Sequence, residues 1–294
     1  MSKECEWRGQ EAAFREFAVS TAVTQSANHI RPLHWYVSCR LVLEGGFLPE
    51  EVTPRPPFRV EQNGPYRVLA YDEGVAGGGE QTILGGLKTK SVDVVVSKPG
   101  IGPVLAVSCK GVTGALRNLT NRLEETIGEC TNLHITYPAL VLGYLVLLRA
   151  NKKAVASRVE DSLDGIAYGA KELSENDIAV DDVDTPVLSV VRFHNALKEM
   201  TGRHGVREDI SRYESIGLGL VRPQGALAGE LLTTFPTEDS PLNMSKFFEA
   251  LYQRYDERFV LSAPDLRKIT QRHEWVIADL TLPGVDYPVR KAGS

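Results

Sequence analysis

The strongest constraint on the fold is the stretch from Ser91 to Arg149, which holds three apolar runs in quick succession. They are Ser-Val-Asp-Val-Val-Val from Ser91, Val-Leu-Ala-Val-Ser-Cys-Lys-Gly from Val104, and Ala-Leu-Val-Leu-Gly-Tyr-Leu-Val-Leu-Leu-Arg from Ala139. Short unbroken apolar runs rich in β-branched residues read as strands buried on both faces. Such strands need helices on each side to cover them, and the segment between the second and third runs has helical spacing. The longest run, Ala139 to Leu148, is too short to span a bilayer and belongs in a core. The expectation is an α/β chain organised around a buried sheet.

Composition adds limits. A chain of 294 residues, 43% hydrophobic and 24% charged, has the balance of a globular protein and can bury one large core or two smaller ones. We place one α/β domain over residues 1–222, with its core at 90–149, and a linker with a C-terminal extension over 223–294, packed on the same domain. The opening Met-Ser-Lys-Glu-Cys-Glu-Trp is polar and acidic, so no secretory leader or membrane anchor is expected and a cytoplasmic location follows. Cys5, Cys39, Cys109 and Cys130 form no CxxC pair, which fits reduced thiols. Cys130 and His134 share a helix face, and without a second such pair they read as packing.

The net charge of -5 excludes a protein that coats nucleic acid through an overall basic surface, but the distribution is uneven. Gly86 to Arg122 holds Lys88, Lys90, Lys98, Lys110, Arg117 and Arg122 against the single acid Asp93. Ser157 to Thr185 holds nine acids against Arg158 and Lys171. A polyanion is thereby steered to the first region and repelled by the second.

Along the chain, Glu11 to Asn28 has amphipathic spacing, and a buried helix starts at Pro32 and stops at Gly45-Gly46. Glu44, at its end, is a candidate extra acid or a plain surface residue. Phe58 to Glu61 and Tyr66 to Tyr71 predict a hairpin with an Asn63-Gly64 turn. The glycines between Gly74 and Gly86 predict a mobile loop; no Gly-Lys-Ser/Thr closes it, so it is no phosphate-binding P-loop. Beyond Arg149, an acidic region precedes a helix after Pro186, a strand from Tyr213 to Val221, a loop to Pro241 and a helix from about Lys246 to Arg258.

Within the organising stretch three polar residues stand out. Asp93 interrupts a run of valines, where an unpaired carboxylate is costly and a charge needs a partner, a metal or a function. Ser108 and Lys110 alternate with Cys109 and so point to the same face of their strand. On a helical wheel Leu116, Leu119, Leu123, Ile127 and Cys130 form one stripe, with Glu124 about a quarter turn away and Glu125 nearly opposite. Glu124 is therefore expected to lean along the sheet toward Asp93 and Lys110, and Glu125 to face water. Two carboxylates and a lysine suit phosphodiester hydrolysis: the acids Asp93 and Glu124 hold Mg²⁺, with Mn²⁺ able to substitute, and the lysine orients water or neutralises charge. Oxygen donors without histidine favour these ions over zinc.

Asp93 followed by Ser108-Cys109-Lys110 resembles the PD-(D/E)XK nuclease superfamily, in which a strand aspartate precedes a (Glu/Asp)-x-Lys on the next strand and a helix follows. Val92 replaces the usual proline and Ser108 the usual acid. The latter is similar to a branch of restriction endonucleases that has Ser-x-Lys on the strand and a glutamate moved to the following helix, where Glu124 stands. The resemblance spans about Lys90 to Arg149. It implies a restriction-endonuclease-like αβ core with a central mixed sheet flanked by helices, and Mg²⁺-dependent cleavage of double-stranded DNA in restriction or phage defence. It also implies a homodimer or higher homo-oligomer. Lys88, Lys90, Arg117, Asn121 and Arg122 are placed to reach phosphates or base edges. Four other readings compete: a structural Asp93–Lys110 salt bridge tying the two strands; Glu124 as a solvated partner of Arg117 or Arg122; a hydrolase with Ser108 as nucleophile and Lys110 as its base; and a nuclease-like fold kept as a catalytically inactive DNA-binding or scaffold module, in which loss of the strand acid at Ser108 records lost activity.

Overall fold

The computed structural model describes residues 6–20, 27–114, 116–153, 173–278, 282 and 284–293, with Ala27 and Arg117 described for their backbones alone. The helical elements are α1 (Gln10–Val19), α2 (Arg31–Leu43), α3 (Leu119–Thr136), α4 (Leu188–Glu199), α5 (Met244–Tyr255) and α6 (Arg267–Thr270). The strands are β1 (Val52–Thr53), β2 (Phe58–Asn63), β3 (Tyr66–Tyr71), β4 (Gln81–Ile83), β5 (Lys90–Val92), β6 (Val94–Lys98), β7 (Gly102–Val112), β8 (Val141–Arg149), β9 (Ser215–Val221) and β10 (Val276–Ile277).

The central sheet is mixed, in the order β1-β6-β7-β8-β9. The β6–β7 pair is an antiparallel hairpin, whereas β7–β8 and β8–β9 are parallel, with α3 crossing over between the first two. Parallel neighbours demand such a crossover and cover on both faces. Both faces are covered here. One core lies against α1, α2 and α5 and includes Val94, Val96, Val107 and Cys109; the other lies under α3 and α4 and includes Val95, Ala106, Tyr144 and Val146. The α/β class expected from the apolar runs, and the central mixed sheet flanked by helices that the resemblance implied, are the architecture observed.

Helix α5 packs on this sheet, against β7, β8 and β9. From α5, Phe247, Phe248 and Leu251 are buried in the first core, each stabilising by about 1.5–3 kcal/mol through the apolar area removed from water. Their approach depends on Gly143 of β8 and Gly217 of β9, where an added Cβ would lie 3.0 and 3.1 Å from the Phe247 ring. Further along, the Trp275 indole donates to the Val42 carbonyl at 2.7 Å, and β10 pairs in parallel with β3.

Several expected elements differ. The helix expected over Glu11 to Asn28 stops at Val19; residues 21–26 lie outside the described set, and Ala27–His29 is a 3-10 turn. The β2–β3 connection is Gly64-Pro65, not Asn63-Gly64, because Asn63 pairs with Tyr66 and Gly64 alone takes the positive φ, at 57°. The C-terminal helix ends at Tyr255 and passes into a π-helical turn over Asp256–Leu261. Most of the acidic segment expected from Ser157 onward lies outside the described residues.

Candidate active site

The run expected as one strand from Ser91 is broken at Asp93: β5 pairs with β4, and β6 with β1 and β7. The break leaves the Asp93 carboxylate at the end of β6, buried, where Oδ2 accepts from the Cys109 amide at 2.6 Å and from Lys110 Nζ at 3.4 Å. A charge-assisted bond to a backbone amide is among the stronger hydrogen bonds and offsets much of the cost of burying this carboxylate. The juxtaposition of Asp93 and Lys110 expected from the sequence is therefore present.

Lys110 extends into a cavity of about 430 Å³ on the α3 face of the sheet, lined also by Lys88, Lys90, Arg122, Glu124, Glu125, Thr126, Glu129, Asn132 and Tyr144. Burial works against the Lys110 ammonium, but Asp93 and Glu129 outweigh it and raise its pKa. The lysine therefore stays charged near neutrality, which suits neutralising an anion and not accepting a proton. Burial likewise pushes the Tyr144 phenol up to about 12, so it stays neutral.

The buried acid of α3 is Glu129, a residue that the helical wheel did not single out. Its Oε1 accepts from the Ser108 hydroxyl, and its Oε2 pairs with Lys90 Nζ at 2.7 Å. Glu124 and Glu125 are both exposed and both line the cavity. Glu124 thus stands at the mouth instead of leaning onto the sheet, and Glu125 shares the same wall. The wheel went astray at Ile127, expected in the core and 41% exposed, whereas Leu116, in the 3-10 turn before α3, is buried as expected. The face that packs runs through Leu119, Thr126, Cys130 and Leu133, and Glu129 lies beside it. The signal that points to Glu129 is its place one residue before Cys130 and four before Leu133, within the best-packed part of the helix.

The glycine-rich segment is less free than expected. Asn132 of α3 accepts from the Leu87 and Lys88 amides at 2.8 and 3.1 Å, donates to the Lys88 carbonyl at 2.9 Å, and accepts the Gly86 amide on its own carbonyl at 2.8 Å. Of the other candidates, Asn121 is exposed and does not line the cavity, and the Arg117 side chain lies outside the described residues. Glu44 is not part of this site, since Arg40 and the Tyr252 hydroxyl hold it at a separate cavity. Glu80 is exposed and does not line the cavity. Ser108 donates to Glu129, not to Lys110, so a serine–lysine pair is not assembled.

On the opposite side of β7, His34 of α2, Asp93 and Cys109 gather a nitrogen, an oxygen and a sulfur within 4.8 Å of one another, all buried, and this group could hold a metal ion. Burial lowers the His34 pKa against the pull of Asp93 and raises that of Cys109 well above its ordinary value. Cys130 and His134 are buried side by side, with Sγ to Nδ1 at 3.5 Å, and His134 also hydrogen-bonds the Ile210 and Leu140 carbonyls. Among the described residues no helix is long and apolar enough to cross a membrane. In comparisons with known proteins, no family model, no curated protein and no solved structure matches this chain.

Proposed function

We propose that the protein is a metal-dependent endonuclease acting on double-stranded DNA, and that the cavity above Lys110 is its reaction centre. The observation that carries this reading is the composition of that cavity. Lys88, Lys90, Lys110 and Arg122 face Glu124, Glu125 and Glu129, an arrangement that can hold both a phosphodiester and a divalent cation.

Glu129 and Glu124 are the residues that would hold the cation; Asp93, which does not line the cavity, would act through Lys110 and not as a ligand there. Their hard carboxylate oxygens fit Mg²⁺, or Mn²⁺ in its place. Such an ion, when bound, stabilises the five-coordinate phosphate and acidifies the attacking water. The chain's own groups do the rest. Lys88, Lys90 and Arg122 draw in the backbone phosphates and set their register. Lys110, kept protonated and steadied by Asp93, neutralises the negative charge that grows on the phosphoryl oxygens. Ser108, through its bond to Glu129, fixes the rotamer of that carboxylate from the strand side.

A second reading draws on a specific feature. Both oxygens of Glu129 and Oδ2 of Asp93 already have partners in the protein, which suits a module that binds nucleic acid through the cations without cutting it. The test is incubation of the purified protein with plasmid DNA, with and without Mg²⁺ or Mn²⁺. Cleavage that requires the metal and is lost in Lys110→Ala and Asp93→Ala proteins of unchanged circular dichroism supports the nuclease. Metal-independent, salt-sensitive retardation without cleavage supports the binding module.

A further inference from the structure

We infer that His34, Asp93 and Cys109 form a second metal site, one selective for a borderline transition-metal cation of the zinc class and chemically distinct from the oxygen-lined cavity above Lys110. The inference stands on the geometry of these three residues and does not depend on the nuclease reading.

Three different elements deliver the donors. His34 lies in the first turn of α2, Asp93 in the break between β5 and β6, and Cys109 on β7, on the face opposite Ser108 and Lys110. All three are buried, with donor atoms within 4.8 Å of one another. The second, independent observation is that His34 Nε2 is buried without a hydrogen-bond partner, although Asp93 Oδ1 lies only 3.5 Å from it. A buried polar atom left unsatisfied is costly, and native structures contain few of them. A cation between the ring nitrogen and the carboxylate oxygen satisfies both at once. Asp93 can offer Oδ1 to it while Oδ2 stays on the Cys109 amide and Lys110.

The donor set selects the ion. One imidazole, one carboxylate and one thiolate match zinc, cobalt or ferrous iron, whereas Mg²⁺ and Ca²⁺ take oxygen donors. In a tetrahedral zinc shell with bonds of about 2.0–2.3 Å, neighbouring ligand atoms stand roughly 3.3–3.8 Å apart, and the His34–Asp93 separation of 3.5 Å falls in that range. On binding, the Cys109 Sγ–H bond breaks, its proton passes to the buffer and the Sγ–metal bond forms, with no change of oxidation state. Three protein donors leave one position of a tetrahedral shell that the chain does not fill.

The experiment is addition of Co²⁺ to the purified full-length protein, followed by optical absorption. The expected result is a thiolate-to-cobalt charge-transfer band in the near ultraviolet with tetrahedral bands in the visible, all displaced by stoichiometric Zn²⁺ and untouched by excess Mg²⁺. Cys109→Ser should abolish the charge-transfer band, and His34→Gln should weaken Co²⁺ binding by about tenfold or more. Cys39→Ser and Cys130→Ser should retain the band. Absence of a charge-transfer band in the folded wild-type protein, or its persistence in Cys109→Ser, overturns the proposal. If either site variant fails to fold, X-ray absorption of the zinc-loaded wild type decides: one sulfur with nitrogen or oxygen neighbours supports the site, and a shell without sulfur overturns it. DNA cleavage plays no part in these readouts, so failure here leaves the nuclease test to be judged by itself.

Discussion

Replacing Glu129 by glutamine separates a structural role for this residue from a catalytic one. The two side chains have nearly the same shape, and the amide oxygen can still accept from Ser108, so the bond across the α3–β7 contact survives in neutral form. What disappears is the ion pair to Lys90, which at 32% side-chain exposure on the lysine is worth only about 0.5–1 kcal/mol. Loss of charge assistance to the Ser108 bond adds about 1 kcal/mol. A total of about 1–2 kcal/mol corresponds to a melting temperature lower by roughly 2–8 °C for a chain of this size. Catalysis should suffer far more. A carboxylate that holds the reactive cation supplies several kcal/mol of transition-state stabilisation, and at about 3 kcal/mol its loss slows cleavage by more than ~10²-fold. Plasmid nicking in saturating Mg²⁺, run beside a thermal melt of the same preparation, measures both quantities. Cleavage within about threefold of wild type, less than ~1 kcal/mol of barrier, would refute the assignment of Glu129 to the reaction centre.

Glu124→Gln should also reduce cleavage, because this carboxylate stands at the cavity mouth, and comparison with Glu125→Gln in the same nicking assay shows which of the two exposed acids reaches the cation. Ser108→Ala should cut DNA within about tenfold of wild type and remain sensitive to EDTA, since the hydroxyl only orients Glu129; complete loss with indifference to EDTA would instead indicate a serine nucleophile. Glu214→Gln should cost about 3–5 kcal/mol in urea unfolding, because it removes the counter-charge from Arg203, which is fully buried at 2.8 Å, and from Arg258 at 2.7 Å. Burial alone would raise the Glu214 pKa, but His134 and Arg258 outweigh it and hold the carboxyl below its ordinary 4.5. A group lowered on folding contributes stability above that ordinary value and loses it as pH falls below 4.5 toward the folded value, so wild-type stability should drop in that acid window and the drop should be shallower in Glu214→Gln.

The residues differed in how much they disclosed before any coordinates. The apolar runs announced β6 to β9 because a strand buried on both faces leaves no room for polar residues, and Pro32 with Gly45-Gly46 bracketed α2. Asp93 and Lys110 were legible as a pair since each breaks such a run, and antiparallel pairing of Val94 with Val107 brings the two strand ends together. Glu129 was marked only by its spacing to Leu133, because a polar residue packed against a serine on a neighbouring strand looks, on a helical wheel, like a solvated one. The exposure of Ile127 was hidden for the converse reason. His34 carried no local mark at all: its grouping with other donors comes from the strand break at Asp93, 59 residues later, and from the side of β7 on which Cys109 falls.

Asn132 gives the cavity a mechanical property. By gripping the backbone of Gly86, Leu87 and Lys88 through its amide and its own carbonyl, this single residue makes the cationic loop and the glutamate-bearing helix travel as one body. Opposite charges are thereby gathered by the fold itself, so on the nuclease reading an incoming phosphate would meet a preset electrostatic mould and would not have to assemble one from a slack loop.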